Sequence, residues 1–299
     1  METDIFTNKQ MLKWLSYLAD VARVPVDRVK ILDDSLGKCN VLPAIETNKF
    51  VILFTNGNDG GICYDIWAAG HEKCKVLVGH GLEPTGRHEV LTIADMIEDE
   101  IKRPCVLFIE NPDARESYKI GIDNDNFARG PIHYVGNEIR AVIMTMLSVD
   151  SEDCLLLVSA ESIVAEASMM APEGTIIAVE PDPGSLVSMR ENVEKFGLRN
   201  VPIVTDVKKE SLKDLPTPRL SFIVATEELE DQIRDLLKKN PKMQFIIYTL
   251  ELDVLSQIKG IFERHGIHNL RVTQITVAKT NEDSMFVTQP TPWLIMGEA

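Results

Sequence analysis

The 299-residue chain sets 31 Lys and Arg against 46 Asp and Glu, a formal net charge of −15, and is 44% hydrophobic and 26% charged. This is the composition of a packed globular chain of about two domains, which excludes a disordered or fibrous one. The acidic balance speaks against a nucleic-acid binder, which gathers Lys and Arg against phosphates, and against attachment to an anionic membrane surface.

No apolar run approaches the roughly 18 residues of a spanning helix. The start, METDIFTNKQ, has neither the basic nor the apolar region of a secretory leader, so a cytoplasmic protein is expected. Cys39, Cys63, Cys74, Cys105 and Cys154 are scattered and odd in number, the pattern of reduced thiols. Cys63, His71, Cys74 and His80 come nearest to a metal cluster but lack the paired spacing of structural zinc sites, so no metal is expected.

In chain order, Thr7-Asn8-Lys9-Gln10 has the form of a capping box. Met11, Leu12, Leu15, Leu18, Ala19 and Ala22 follow at helical spacing, predicting a helix over about 8–23. The runs VDRVKIL, KFVILFT, KVLVG and RPCVLFIE read as strands, with helical stretches near 60–70 and 91–100. Strand alternating with helix predicts an α/β layer. Periodicity lapses between about 111 and 130, in NPDARESYKIGIDNDNFARGP, where a linker is placed. Two domains are therefore expected, 1–118 and 119–299, and neither is basic.

The second half alternates regularly. Helices are predicted over 137–148, 161–171, 185–196, 227–239 and 251–265, and strands over 154–158, 175–180, 201–205, 220–225 and 243–249. Two strand-like runs, LRVTQITVA and SMFVTQPTPWLIM, close the chain without a long helix between them. Repeated βαβ units ending in an antiparallel pair describe a doubly wound sheet with a reversed edge. Ligands of such sheets sit at the carboxyl ends of the strands, where an acid on the second strand accepts from ribose hydroxyls. Glu180 stands there, 23 residues after Leu157. The other reading is that Glu180-Pro181-Asp182-Pro183-Gly184 turns the chain and caps the next helix.

From Gly121 to Trp293 the chain resembles the decarboxylating precorrin-6Y methyltransferase family of cobalamin biosynthesis. The pieces that carry the likeness are GIDNDNF, Glu138-Ile139-Arg140-Ala141, AVEPD, RENVEKFGLRNVPIV, Phe222-Ile223, Thr249-Leu250-Glu251 and MFVTQPTPWLI. The resemblance implies a class I methyltransferase-like doubly wound sheet, S-adenosylmethionine as cofactor, a tetrapyrrole substrate and a homo-oligomer. KFVILFT, KCKVLVGHGLEPTGRHEV and RPCVLFIENPD are similar to the second lobe of the tetrapyrrole methyltransferase half of the fused enzymes. The first domain then lacks the lobe that carries that module's cofactor loop, and would serve interaction or scaffolding.

The family also implies site residues. Ser159 and Ala160 stand at the first-strand turn, Glu180 is the ribose acceptor, and Asp206 falls where an adenine contact lies. Arg140, Thr226 and Glu251 would face the substrate. Arg140 could equally pair with Glu138 on its own helix or lie in solvent, and Glu251 could simply be the first-turn acid of the next helix. His133 and Tyr134 could line the cleft, whereas His265 and His268 beside Gly266 suit a helix end.

The first-strand turn departs from the family. Leu157-Val158-Ser159-Ala160-Glu161-Ser162-Ile163 replaces an acid and three glycines that let the backbone approach the cofactor. Side chains there would intrude, and Glu161 would set a negative charge near the cofactor's carboxylate. Val224-Ala225-Thr226, Val135-Gly136 and Ile246 stand where the family has Gly-Gly-Ser/Gly, Thr-Lys and Asn. The leading expectation is a divergent precorrin methyltransferase-like protein, and the alternative is a catalytically silent methyltransferase-fold binding or scaffolding module.

Overall fold

The computed structural model describes residues 5–37, 39–56, 60–97, 104–115, 120–130 and 135–299. It divides into two compact units, Met1–Lys119 with Lys195–Arg199, and Ile120–Glu194 with Asn200–Ala299.

In the first unit α1 (Asn8–Ala22) begins with the expected capping box. Gln10 N donates to Thr7 Oγ1 (3.4 Å) and Thr7 N to Gln10 Oε1 (2.8 Å). The chain continues through β1 (Val29–Asp33), α2 (Val41–Thr47), β2 (Phe50–Thr55), α3 (Gly60–Ala68), β3 (Lys75–His80), β4 (Glu89–Thr92) and β5 (Cys105–Glu110). The strands lie in the order β1-β2-β5-β3-β4, with β1 and β2 parallel and the other neighbours antiparallel. Trp14, Leu15, Leu18 and Ala19 of α1 pack on Ile52, Phe54, Val106 and Phe108 on one face. Val41, Ile45, Ile62 and Ile66 of α2 and α3 pack on Val51, Leu53, Val76 and Leu107 on the other. The side-chain alternation of each strand thus feeds two cores.

Two local expectations change. The stretch near 91–100 is not a helix at its start: Val90 and Leu91 pair with Leu77 and Val76, and one 3₁₀ turn, Ala94–Met96, follows. Asp95 closes that turn by accepting from Thr92 N (2.8 Å) and Thr92 Oγ1 (2.6 Å). Residues 98–100 lie outside the described residues. VDRVKIL opens with a 3₁₀ turn, Val26–Arg28, before β1, and α2 is an element that periodicity alone did not reveal.

The second unit holds α4 (Asn137–Leu147), β6 (Cys154–Val158), α5 (Glu161–Met170), β7 (Thr175–Val179), α6 (Pro183–Lys195), β8 (Ile203–Val204), β9 (Leu220–Val224), α7 (Leu229–Lys239), β10 (Gln244–Thr249), α8 (Leu252–Arg264), β11 (His268–Gln274), β12 (Ala278–Thr280), β13 (Phe286–Thr288) and β14 (Trp293–Glu298). Seven strands form one sheet in the order β11-β14-β10-β9-β6-β7-β8, in which β14 alone runs against its neighbours. This is the expected doubly wound sheet, but the reversed strand is not its edge: β14 lies one place in, between β10 and β11. Leu156, Val158, Ile223, Phe245 and Ile247 meet Ile233 and Leu236 of α7 and Ile258 and Phe262 of α8 on one face. Leu155, Leu157, Ile176, Ala178, Phe222 and Ile246, on the opposite pleat, are equally buried.

The closing run is more divided than expected. Between β11 and β14 the chain makes a separate two-stranded ribbon, β12–β13. No described helix is long and apolar enough to cross a membrane.

Candidate active site

The turns that follow β6, β7, β8, β9 and β10 all leave the same edge of the second unit's sheet, because those strands are parallel. Ser159, Ala160, Glu180, Asp206, Thr226 and Glu251 therefore share the carboxyl edge. The order of the strands changes direction at β6, with β7 on one side and β9 on the other, and a crevice for ligands opens at such a point.

Ser159 has φ 52°, a left-handed conformation that normally favours glycine, and its N–H donates to Val179 O (2.9 Å). That bond carries the β6–β7 ladder one residue into the turn. Ala160 then begins α5 without a side-chain cap. Glu161, expected to press a charge on the ligand, is turned to α6: Asn192 Nδ2 donates to its Oε1 (2.5 Å) and Ser188 Oγ to its Oε2 (3.2 Å).

Glu180 is 2% exposed, and its N–H donates to Val204 O (2.9 Å). Its Oε1 accepts from Asp182 N (3.0 Å), while among the described residues Oε2 has no protein partner. Burial pushes the carboxyl's pKa up, against the lowering effect of the Asp182 N–H. The helix cap anticipated as Glu180's other role falls instead to Asp182, whose Oδ2 accepts from Ser185 N (2.7 Å). The Ser185 and Gly184 N–H groups hold the Asp182 carboxyl below its ordinary range.

Asp206 Oδ1 accepts from Ser211 Oγ (2.6 Å) and Lys208 N (2.9 Å), and these bonds lower its pKa. Thr226 is exposed, and its Oγ1 accepts from Glu228 N (3.3 Å). Glu251 is exposed at the start of α8, its N–H donating to Thr249 Oγ1 (3.0 Å).

Arg140 is committed to protein partners. It is fully buried, and its Nε donates to Glu166 Oε1 (2.6 Å) and its Nη1 to Asn124 Oδ1 (2.9 Å) and Val135 O (3.1 Å). Nη2 donates to Ile122 O, and the guanidinium covers the Phe127 ring at 4.9 Å. The side chain binds the segment before α4 to α5, so it is buried among protein partners and not in solvent. Glu138, its expected helical partner, pairs with Lys279 of β12 at 2.6 Å. Glu166 was not anticipated, although a lone acid within the buried run Ser162–Met169 signals an interior partner.

His133 and Tyr134 lie outside the described residues. His265 is the C-cap of α8 and meets Glu230 at 3.3 Å. In the first unit, burial pushes the Cys63 and Cys74 thiols up to about 11 and Cys105 to about 12, which makes them poor nucleophiles.

The profile of the precorrin methyltransferase domain matches residues 133–289. A probable decarboxylating cobalt-precorrin-6B C(15)-methyltransferase of Sulfolobus acidocaldarius is 31% identical over 143 residues, 46% of this chain and 74% of the relative. The crystal structure of precorrin-6y C5,15-methyltransferase from Geobacter metallireducens GS-15 is similar with a TM-score of 0.55 and 31% identity, covering 60% of this chain and 97% of that one. A precorrin 8W decarboxylase from Methanobacterium thermoautotrophicum shares the fold, with a TM-score of 0.51, 18% identity, and coverage of 60% of this chain and 100% of that one.

Proposed function

The chain belongs to the precorrin methyltransferase family of cobalamin biosynthesis, and from that premise we propose that its second unit binds S-adenosylmethionine and methylates a precorrin. The observation that carries this reading is Glu180, a buried carboxylate at the end of the second strand of the βαβ unit with one oxygen uncommitted within the protein. A ribose offers two hydroxyl donors to such an acceptor.

The residues present fit the cofactor. Ser159 already holds the left-handed conformation that a glycine would supply, and Glu161 is bonded to α6. Ser159 and Ala160 would border the methionine part, Glu180 the ribose and Asp206 the adenine, with Thr226 and Glu251 on the substrate side. Bound there, S-adenosylmethionine supplies a methyl group activated by its sulfonium. The chain's share is to bind and align, because bringing two reactants into line lowers the barrier without an added catalytic group.

Glu180→Ala is expected to weaken S-adenosylmethionine by about 1.5–3 kcal/mol, the scale of a charge-assisted hydrogen-bond pair. Calorimetric titration measures it, and an unchanged dissociation constant removes the ribose role. The alternative, a silent scaffold, is favoured by one observation: Ser159 and Ala160 carry side chains at a turn without glycine. Absence of binding by the unaltered chain selects that reading. Residues 1–118 precede the matched residues, and we read them as an interaction or scaffolding module similar to part of a tetrapyrrole methyltransferase.

We also place the chain in a homo-oligomer. Phe286 on β13 is 79% exposed beside Met285 at 64% and Val287 at 51%, and an isolated two-stranded ribbon is marginal in water. Phe286→Ser is expected to shift sedimenting species toward the monomer, and an identical distribution for both proteins counts against the ribbon as the contact.

A further inference from the structure

Glu161 is the first residue of α5, directly after the turn assigned to the cofactor. A carboxylate there competes with any ligand anion for the positive end of the helix. In this chain both of its oxygens are occupied by α6, through Asn192 Nδ2 at 2.5 Å and Ser188 Oγ at 3.2 Å. Asn192 is 1% exposed and Ser188 3%.

Asn192 has a second attachment. Ala128 N donates to its Oδ1 (2.7 Å) and its Nδ2 donates to Ala128 O (3.2 Å). The segment ahead of α4 runs close to α6 here, for a Cβ on Gly130 would lie 2.5 Å from Ser188 Oγ. Paired with a backbone amide in both directions, the carboxamide has its orientation set, with its Nδ2 also directed at Glu161.

We propose that Asn192 is a positioning residue for the cofactor: it draws the Glu161 carboxylate onto α6 and so leaves the first-strand turn free of a charge that would repel the methionine carboxylate of S-adenosylmethionine. The proposal rests on the cofactor reading above. It accounts for how a turn carrying an acid in place of glycine remains open to an anionic group.

Calorimetric titration of the full chain with S-adenosylmethionine tests it, with each variant's thermal unfolding recorded so that binding is read on folded protein. Asn192→Ala is expected to weaken binding about tenfold, equivalent to about 1.4 kcal/mol. The double variant Asn192→Ala with Glu161→Gln is expected to recover most of that loss, because the released side chain no longer bears a charge. Ser188→Ala, which removes the longer bond to Glu161 together with a bond to Ser185 O (3.0 Å) within α6, is expected to weaken binding by a smaller factor, and it serves if the Asn192 variants do not fold.

Unchanged affinity in Asn192→Ala, or in Ser188→Ala where that variant stands in, overturns the proposal. A loss that Glu161→Gln does not repair overturns it as well, since that outcome makes Asn192 merely structural. Absence of binding by the unaltered chain is a different failure: it removes the cofactor reading, and this proposal with it.

Discussion

Glu166→Ala is expected to lower stability by about 3–5 kcal/mol, because it leaves the buried Arg140 guanidinium without its counter-charge. Glu166 Oε1 accepts from Arg140 Nε (2.6 Å), Gly121 N (3.1 Å) and Ile122 N (3.0 Å). Removing the carboxylate therefore strands two backbone donors as well as a cation. Both side chains are fully buried, so water cannot replace the lost partner without opening the packing around α4 and α5. Urea denaturation followed by circular dichroism measures the change. Replacing the pair together, Arg140→Met with Glu166→Leu, is expected to cost much less, since no uncompensated charge remains. Equal losses in the single and double variants would show that packing volume, rather than charge, is what the pair supplies.

The second large effect belongs to the first unit. Trp14→Ala is expected to destabilise it by about 3–5 kcal/mol, the transfer and cavity cost of a large core side chain. Trp14 is 0% exposed, and its ring lies so close to β3 that a Cβ on Gly79 would fall 2.2 Å from it. Gly79 has no side chain to fill that space, and the strands around it are held by their ladders. Its indole N–H has no partner among the described residues, so Trp14→Phe loses volume but no hydrogen bond and is expected to cost clearly less. Denaturation of both variants checks the contrast. Equal loss in the two would mean that an interaction of the N–H, and not ring volume, dominates.

Much of the second unit was legible because its strands are short apolar runs bounded by turn residues. CLLLV, TIIAV and LSFIV all became strands near their expected bounds. The reversal at β14 followed from the missing helix before it. The stretch near 91–100 misled because Val90 and Leu91 acquire their strand partners from β3, a pairing that local periodicity does not carry.

Site residues divided along the same line. Glu180, at a strand end, could be located from spacing, and Ser159 from the likeness to the family's first-strand turn. Side-chain directions could not, since they depend on distant partners. Arg140 turned inward because Glu166 and the carbonyls of Ile122 and Val135 claim it. Glu161 turned aside because Asn192 lies one helix away. The acid that caps α6 is Asp182, a choice between two neighbouring carboxylates that backbone geometry decides.

Calorimetric titration of the full chain with S-adenosylmethionine, and in parallel with its demethylated product, tests the central reading most directly. The expected result is a micromolar dissociation constant for both, about 8 kcal/mol of binding free energy. No heat of binding for either at millimolar concentration would contradict it and assign the fold to a scaffold that has lost its cofactor.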